Sequence, residues 1–432
     1  MENQEMDLDE QDSTITTEDG SQKKKKVYLP GKPLKDGQEL VCDESAYVML
    51  HQAQTGSPCL SFDIIKDALG DNRENFPLTA YAVAGTQSPK VHTNSLIVMK
   101  LSNMHQIKQD EEDDESSDSD SDDDDDDDNS KKPQMKWSFI HHKGCVNRVR
   151  VSTFEDLVLT AAWSELGNVS VWNITPQLRE VDQPQNDSGT LPGQPLYTFT
   201  GHQSEGFGLD WSSVMPGVLA SGDCKHGIHV WRPQESWTGW HVDQRPLIGH
   251  TSSVEDLQWS PNEPNVLASC SVDKSLRIWD TRSSPQDANK LTVENAHESD
   301  VNVISWNKHE PLIVSGGDDG ILHIWDLRMF KEGSALATFK HHTEPVTTVE
   351  WNPVDSTVFA SGGADNQIAL WDLALERDDT AEEEDLKDIP PQLLFIHQGQ
   401  KDVKELHWHP QLKGVILSTA LSGFNIFRTI SV

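Results

Sequence analysis

Basic residues are scarce: 35 lysines and arginines face 71 aspartates and glutamates in 432 residues, a net charge of −36. A field of that sign repels nucleic-acid phosphates and anionic membrane surfaces, and it points to basic proteins as partners. Cysteine is sparse as well. Five thiols (Cys42, Cys59, Cys145, Cys224, Cys270) are dispersed, with no pair at metal-ligand or redox spacing. That argues against a disulfide framework and for a reducing compartment. Long apolar runs are missing: none approaches the roughly 18 residues of a membrane span, and no signal peptide is read at the start. An intracellular, soluble protein is expected. Hydrophobic residues make up 35% of the chain, which is low for this length. The deficit is local, because residues 1–26, 105–136 and 376–391 are almost bare of core formers while the rest is rich enough to fold.

What fills those poor stretches is acid. Residues 110–128 read DEEDDESSDSDSDDDDDDD, ending in Asp122, Asp123, Asp124, Asp125, Asp126, Asp127 and Asp128. A run like this is a solvated, disordered polyanion. Ser117, Ser119 and Ser121 each have Asp three residues on, the pattern acidophilic kinases prefer. Phosphorylation there would add roughly −1.5 to −2 charges per site. The one basic run, Lys23–Lys26, reads either as a nuclear import signal or as a solvated cluster in a flexible tail.

Tryptophan carries the fold signal. One series is Trp211, Trp259, Trp306, Trp351, Trp408; a second is Trp172, Trp231, Trp279, Trp325, Trp371. Most steps are 45 to 48 residues, several with WD dipeptides, the period of a β-propeller blade. Segments 249–282, 296–328 and 341–373 align, each with short β-patterned runs separated by Gly, Pro, Asn and Asp turns. Within them His250, Ser269, Asp273, Trp279 recur as His297, Ser315, Asp319, Trp325 and as His342, Ser361, Asp365, Trp371. Buried together, these four side chains can satisfy one another. Three copies at repeat spacing, with no nucleophile elbow, are structural tetrads and not hydrolase triads; no catalytic residue is assigned. The pairs His141–His142, His341–His342 and His407/His409 lack a third ligand at suitable spacing, so neither a metal nor another cofactor is expected.

The outer units are degenerate. Residues 201–233 keep His202, Ser221 and Trp231 but have Lys225 where the aspartate is expected; 144–174 keep Trp172; 397–430 put Phe427 in the last tryptophan's place. Residues 59–65, 78–85, 95–101 and 135–140 supply four strands without the motif. The count gives seven blades in one all-β, closed WD-repeat propeller, whose chain ends must meet to avoid an exposed sheet edge.

Stretches such as CVNRVRV (145–151), GHQSEGFGLDW (201–211) and IPPQLLFIHQG (389–399) resemble the retinoblastoma-binding, histone-binding WD-repeat proteins. The acidic tract inside the first blade, with VEDLQWSP, KELHWHP and ALSGFNIFRTISV, is similar more narrowly to the glutamate-rich WD-repeat family over residues 27–432, although here aspartate dominates. The resemblance implies a disordered tail over 1–40, a short helix over 41–56 centred on DESAYVMLHQAQ (43–54), the propeller over 57–432, an acidic disordered insertion at 105–136 and an acidic loop at 376–391. It also implies a role: a non-enzymatic ribosome-assembly chaperone in the nucleus and nucleolus, able to shuttle, monomeric, and dedicated to the third large-subunit ribosomal protein. Histone binding is the alternative.

Carried over by position, a basic client helix would lie on Tyr47, Leu50, Ile389 and Leu393, facing Asp378, Asp379, Glu382, Glu383, Glu384 and Asp385. The other reading of Tyr47 and Leu50 is simple anchoring on the last blade. A basic tail would be read at the channel mouth by Asn147, Glu205, Phe207 and Glu255, where Cys145 replaces an acid of the family set. Arg282 and Arg328, in Trp-Asp-x-Arg motifs, resemble contacts to the adaptor of a cullin-RING ubiquitin ligase; alternatively each closes its own blade.

Overall fold

A computed structural model describes residues 40–107, 132–154, 156–183, 189–190, 193–235, 237–376 and 389–432, and the backbone of two short strands near the start. The chain divides into two units. The first comprises 1–42 and 383–389. Its strands Thr14–Thr16 and Gln22–Lys24 pair antiparallel, with Ile15 opposite Lys23. Within the tail these two segments are extended and paired, where β-branched Thr-Ile-Thr favours extension; the rest of residues 1–39 lies outside the described residues. The acidic residues Asp122–Asp128, Asp378, Asp379 and Glu382–Asp385, with Ser117, Ser119 and Ser121, lie outside the described residues.

The second unit, 43–382 and 390–432, is a seven-bladed propeller. Six blades follow in sequence: first strands begin at Cys59, Val146, Gly208, Val254, Val301 and Val346, and each adds three more antiparallel strands outward. The seventh is composite. Val403–Trp408, Val415–Ala420 and Gly423–Thr429 are completed by Tyr47–Ala53, pairing Leu50 with Phe427 and Ala53 with Phe424. The innermost strands contact one another in a closed cycle.

This composite blade corrects the expected helix at 41–56. A 3-10 turn at Glu44–Ala46, capped by Asp43 Oδ1 accepting from Ser45 N, leads straight into the strand Tyr47–Ala53. Met, Leu, Gln and Ala favour helix locally, but the open edge of Gly423–Thr429 offers a full ladder and buries Tyr47 and Met49, so tertiary pairing overrides propensity. The propeller therefore starts at Tyr47. Among the described residues the α-helix lies elsewhere, at Thr175–Val181 with proline in its first turn, between the third and fourth strands of blade two. The connection that holds it also adds Gly189–Thr190, in parallel, to the edge of Gln134–His141 in blade one.

The two tryptophan series do different work. Trp211, Trp259, Trp351 and Trp408 donate Nε1–H to the carbonyls of Arg150, Asp210, Ser305 and Glu350 on the preceding blade, at 2.9, 3.0, 3.0 and 3.1 Å. They lock neighbours together. Trp231, Trp279, Trp325 and Trp371 donate instead to Ser221, Ser269, Ser315 and Ser361 inside their own blades, at 2.8 to 2.9 Å. With the indole on the serine oxygen, the serine proton goes to histidine Nε2 (2.6 to 2.8 Å), and histidine Nδ1–H goes to an aspartate. In blade three that aspartate is Asp223, 2.8 Å from His202, and not a residue at position 225. Asp223 arrives two residues earlier and also accepts from Lys225 N and Gly227 N, so the tetrad survives a shifted turn.

The degenerate blades show what each missing member costs. In blade two Ala162 faces Ser170 two residues before Trp172, the register the tetrad serine holds elsewhere, and Trp172 Nε1 is buried without a partner. In blade seven Phe427 stacks on His397 at 4.0 Å, and Tyr47 Oη and Asn425 lie 2.8 and 3.0 Å from its ring nitrogens. Close inter-blade packing also selects glycine: a Cβ on Gly316 would sit 2.5 Å from Val346.

Candidate functional site

The antiparallel order fixes two end faces. Turns between strands one and two and between strands three and four lie on one, here the lower face. Blade-to-blade connections, with the tetrad histidines, lie on the other, the upper face. Both acidic segments interrupt three-to-four connections, after Met104 in blade one and after Asp372 in blade six. Blade seven sits between those two blades.

Around blade seven, Tyr47 is core, 6% exposed, its ring edge-on to Phe395 and Phe427. Burial lowers its partner His397 to about 4, so that the imidazole is neutral. Tyr47 therefore anchors the closing strand. Leu50 is half-buried beside the same cluster, together with Ile107, Leu394 and Phe395. Leu393 pairs with Trp371 in the neighbouring cluster, and Ile389 belongs to the first unit. Sequence reasoning missed Ile107, Leu394 and Phe395, because two strands and a loop far apart in the chain converge there. Ile107 N donates to Val48 O at 3.0 Å, and His51 Nε2 lies 3.0 Å from His105 O. The chain entering the long acidic tract thus runs along the closing strand before it departs. On the other side Gln392 Nε2 bonds Leu375 O at 2.9 Å, tying the base of the shorter acidic loop.

At the channel mouth Asn147 donates to Glu205 Oε2 at 2.9 Å, and Arg148 Nε to Phe207 O at 2.9 Å. Glu255, on the next blade, is half-buried; burial raises its carboxyl above the usual range. Cys145 is held by its own N–H on Glu165 at 2.8 Å. Below the mouth a cavity of about 180 Å³ is lined by Asp63, Arg148, Arg150, Glu350, Glu405 and His407 among others. Glu405 is its hub: Oε1 takes Arg148 and Arg150 at 2.8 and 2.9 Å, and Oε2 accepts from Phe62 N at 2.8 Å. Burial alone would raise Glu405, but Arg150 and Arg148 hold it well below the usual carboxylate range. Burial would likewise lower His407, yet Glu350 and Glu405 push it up to about 10. Ion pairs and backbone thus meet most of the polar lining, while His407 Nε2, 3.6 Å from Glu405 Oε1, has no hydrogen-bond partner among the described residues.

Arg282 and Arg328 are exposed at 67% and 70% on the lower face, and each forks back onto the aspartate of its own motif, Asp280 or Asp326, at 2.6 to 2.8 Å. Their guanidinium groups close the local turn in this state.

Comparison with known proteins agrees with this architecture. Residues 242–280, 289–326 and 333–372 match the WD domain, G-beta repeat, and residues 37–105 match the family of histone-binding protein RBBP4. The latter span includes the closing strand. Glutamate-rich WD repeat-containing protein 1 of Dictyostelium discoideum is 45% identical over 94% of this chain and 85% of its own length. The chain belongs to the glutamate-rich WD-repeat family. Other relatives of this family member are ribosome assembly protein rrb1 of Schizosaccharomyces pombe, 42% identical over 95% of the chain and 86% of that protein, and protein HEAT STRESS TOLERANT DWD 1 of Arabidopsis thaliana, 44% identical over 94% and 92%.

Proposed function

We propose that this glutamate-rich WD-repeat protein is a non-enzymatic ribosome-assembly chaperone. It binds a basic large-subunit ribosomal protein, the third of that subunit, shields it, and releases it onto pre-ribosomal RNA in the nucleolus. The observation that carries the reading is the placement of the acidic segments: both leave from connections flanking blade seven, and the longer one leaves alongside Leu50, Ile107, Leu394 and Phe395. An apolar strip flanked by the points where two acidic segments leave the propeller suits a basic amphipathic segment, whose charges Asp378, Asp379, Glu382–Asp385 and Asp122–Asp128 would meet. Each exposed charge contact contributes roughly 1 kcal/mol or less and is screened beyond about 8 Å at physiological salt. Many such contacts hold a client reversibly, and RNA, with its higher charge density, displaces them. Phosphorylation of Ser117, Ser119 and Ser121 would strengthen the hold. The relative named for ribosome assembly supports the role, and nuclear and nucleolar residence follows from it.

Histone binding is the second reading, favoured by the match of residues 37–105 to a histone-binding family; Asn147, Glu205, Phe207 and Glu255 would then receive a basic tail. Service as a ubiquitin-ligase receptor would need Arg282 and Arg328 to release their own aspartates. The deciding experiment is affinity purification of the tagged protein from nuclease-treated extract, with quantitative mass spectrometry. One near-stoichiometric ribosomal protein without the rest of its subunit supports the chaperone. Core histones without ribosomal proteins would overturn it.

A further inference from the structure

The geometry points to a second docking element on the lower face: the stacked pair Phe154–Trp237 is a ledge for an arginine-bearing stretch of a basic partner. The identity of that partner as basic rests on the chaperone reading; the location does not.

Trp237 is held in a conformation it would not choose. Its φ is +56°, while the other non-glycine residues at positive φ are asparagine, aspartate, histidine and lysine. For a bulky residue this is a strained backbone, of the kind retained when the displayed side chain has a use. The turn is fixed by Gln234 N on Gly239 O at 2.9 Å and Trp237 N on Gln234 O at 3.0 Å. The indole stacks on Phe154, with ring centroids 4.8 Å apart and planes at 27°, and Phe154 is backed edge-on by Trp211. Gly217 completes the seat, since a Cβ there would sit 2.3 Å from the indole.

The seat fixes the ring without consuming it. Neighbouring Trp211 and Trp240 donate their indole N–H groups to Arg150 O and Gly217 O. Trp237 is only half-buried, and its Nε1–H has no partner among the described residues. Asp156, two residues beyond Phe154, and Glu235, two before Trp237, are exposed and make no ion pair among the described residues. A π face, an indole edge and two carboxylates are complementary to a guanidinium, which stacks flat and pairs with carboxylate through its fork. Lysine, a compact point charge, matches the carboxylates but not the plane.

The test is fluorescence anisotropy of labelled nine-arginine and nine-lysine peptides with the full-length protein at physiological salt. The arginine peptide should bind about two- to fivefold tighter, the range one exposed cation–π contact supplies. Trp237→Gly relieves the positive φ while giving up the stacking on Phe154, so it should stay folded by circular dichroism while the arginine preference disappears. Asp156→Asn with Glu235→Gln keeps the aromatic seat and should weaken the preference in part. An unchanged preference in Trp237→Gly, or equal loss of both peptides, overturns the ledge. If the preference behaves as expected but no ribosomal protein co-purifies from extract, the chaperone reading fails and the ledge stands.

Discussion

Replacing Glu405 by glutamine removes one charge from the most connected point of the channel. Glu405 is 2% exposed and binds two arginines of blade two and a backbone N–H of blade one while belonging to blade seven, so it spans the seam where the ring closes. Glutamine still accepts from Phe62 N but leaves Arg148, Arg150 and His407 short of a counter-charge. Breaking a buried ion pair by removing one partner typically costs about 3–5 kcal/mol. With an unfolding entropy of about 2.1 cal/mol/K per residue over roughly 390 residues, that lowers the melting temperature by ~4–6 °C. The pH dependence has a definite sign. The depressed Glu405 contributes stability above the ordinary carboxylate range of about 4.5, lost as pH falls through its low folded value. His407, raised to about 10, contributes fully below about 6.5 and loses its contribution as pH rises through 10. Differential scanning calorimetry of wild type and Glu405→Gln should therefore find the largest gap between about pH 5 and 6.5, narrowing toward pH 10. A gap under 1 °C at pH 6, or one constant across that range, would refute the keystone role.

Asp210, which burial pushes from the ordinary 3.8 up to about 7, costs the fold stability progressively as pH rises between those two values; Asp210→Asn should melt with wild type near pH 3.8 and above it at pH 7 in the same scans. Ala162→Ser places a hydroxyl where Trp172 Nε1 has none and should stabilise by about 0.5–1.5 kcal/mol in chemical denaturation, whereas Ser269→Ala should cost about 1–3 kcal/mol by orphaning His250 and Trp279. Exchanging Asp122–Asp128 for serine and asparagine should weaken binding of a basic client and flatten its salt dependence, measured by titration at two ionic strengths; unchanged affinity at low salt would remove the tract from the mechanism.

The repeat was legible because its signal is local. Tryptophans at a fixed period and the His, Ser, Asp spacing sit within single blades, and the hydrogen bonds found there follow the sequence pattern. What was not legible is long-range. Tyr47–Ala53 pairs with residues more than 370 positions away, and its composition favours helix. Asp223 is displaced by two residues from the pattern yet reaches the same imidazole, because a turn can shift while its carboxylate does not. The channel ion pairs join residues at positions 148, 150 and 405 that share no motif. At the candidate site, Leu50 was foreseen, but its companions Ile107, Leu394 and Phe395 meet it only through folding.

The composite seventh blade has a consequence for synthesis. Tyr47–Ala53 leaves the ribosome long before its partner Gly423–Thr429, with six whole blades made in between. Throughout that interval the strand has no ladder to join, and a nascent chain halted anywhere before Gly423 keeps an unclosed ring with two sticky edges. Closure of the ring and assembly of the strip of Leu50, Ile107, Leu394 and Phe395 are thereby the same event. A prematurely terminated copy lacks that strip and leaves the edge of Tyr47–Ala53 unpaired.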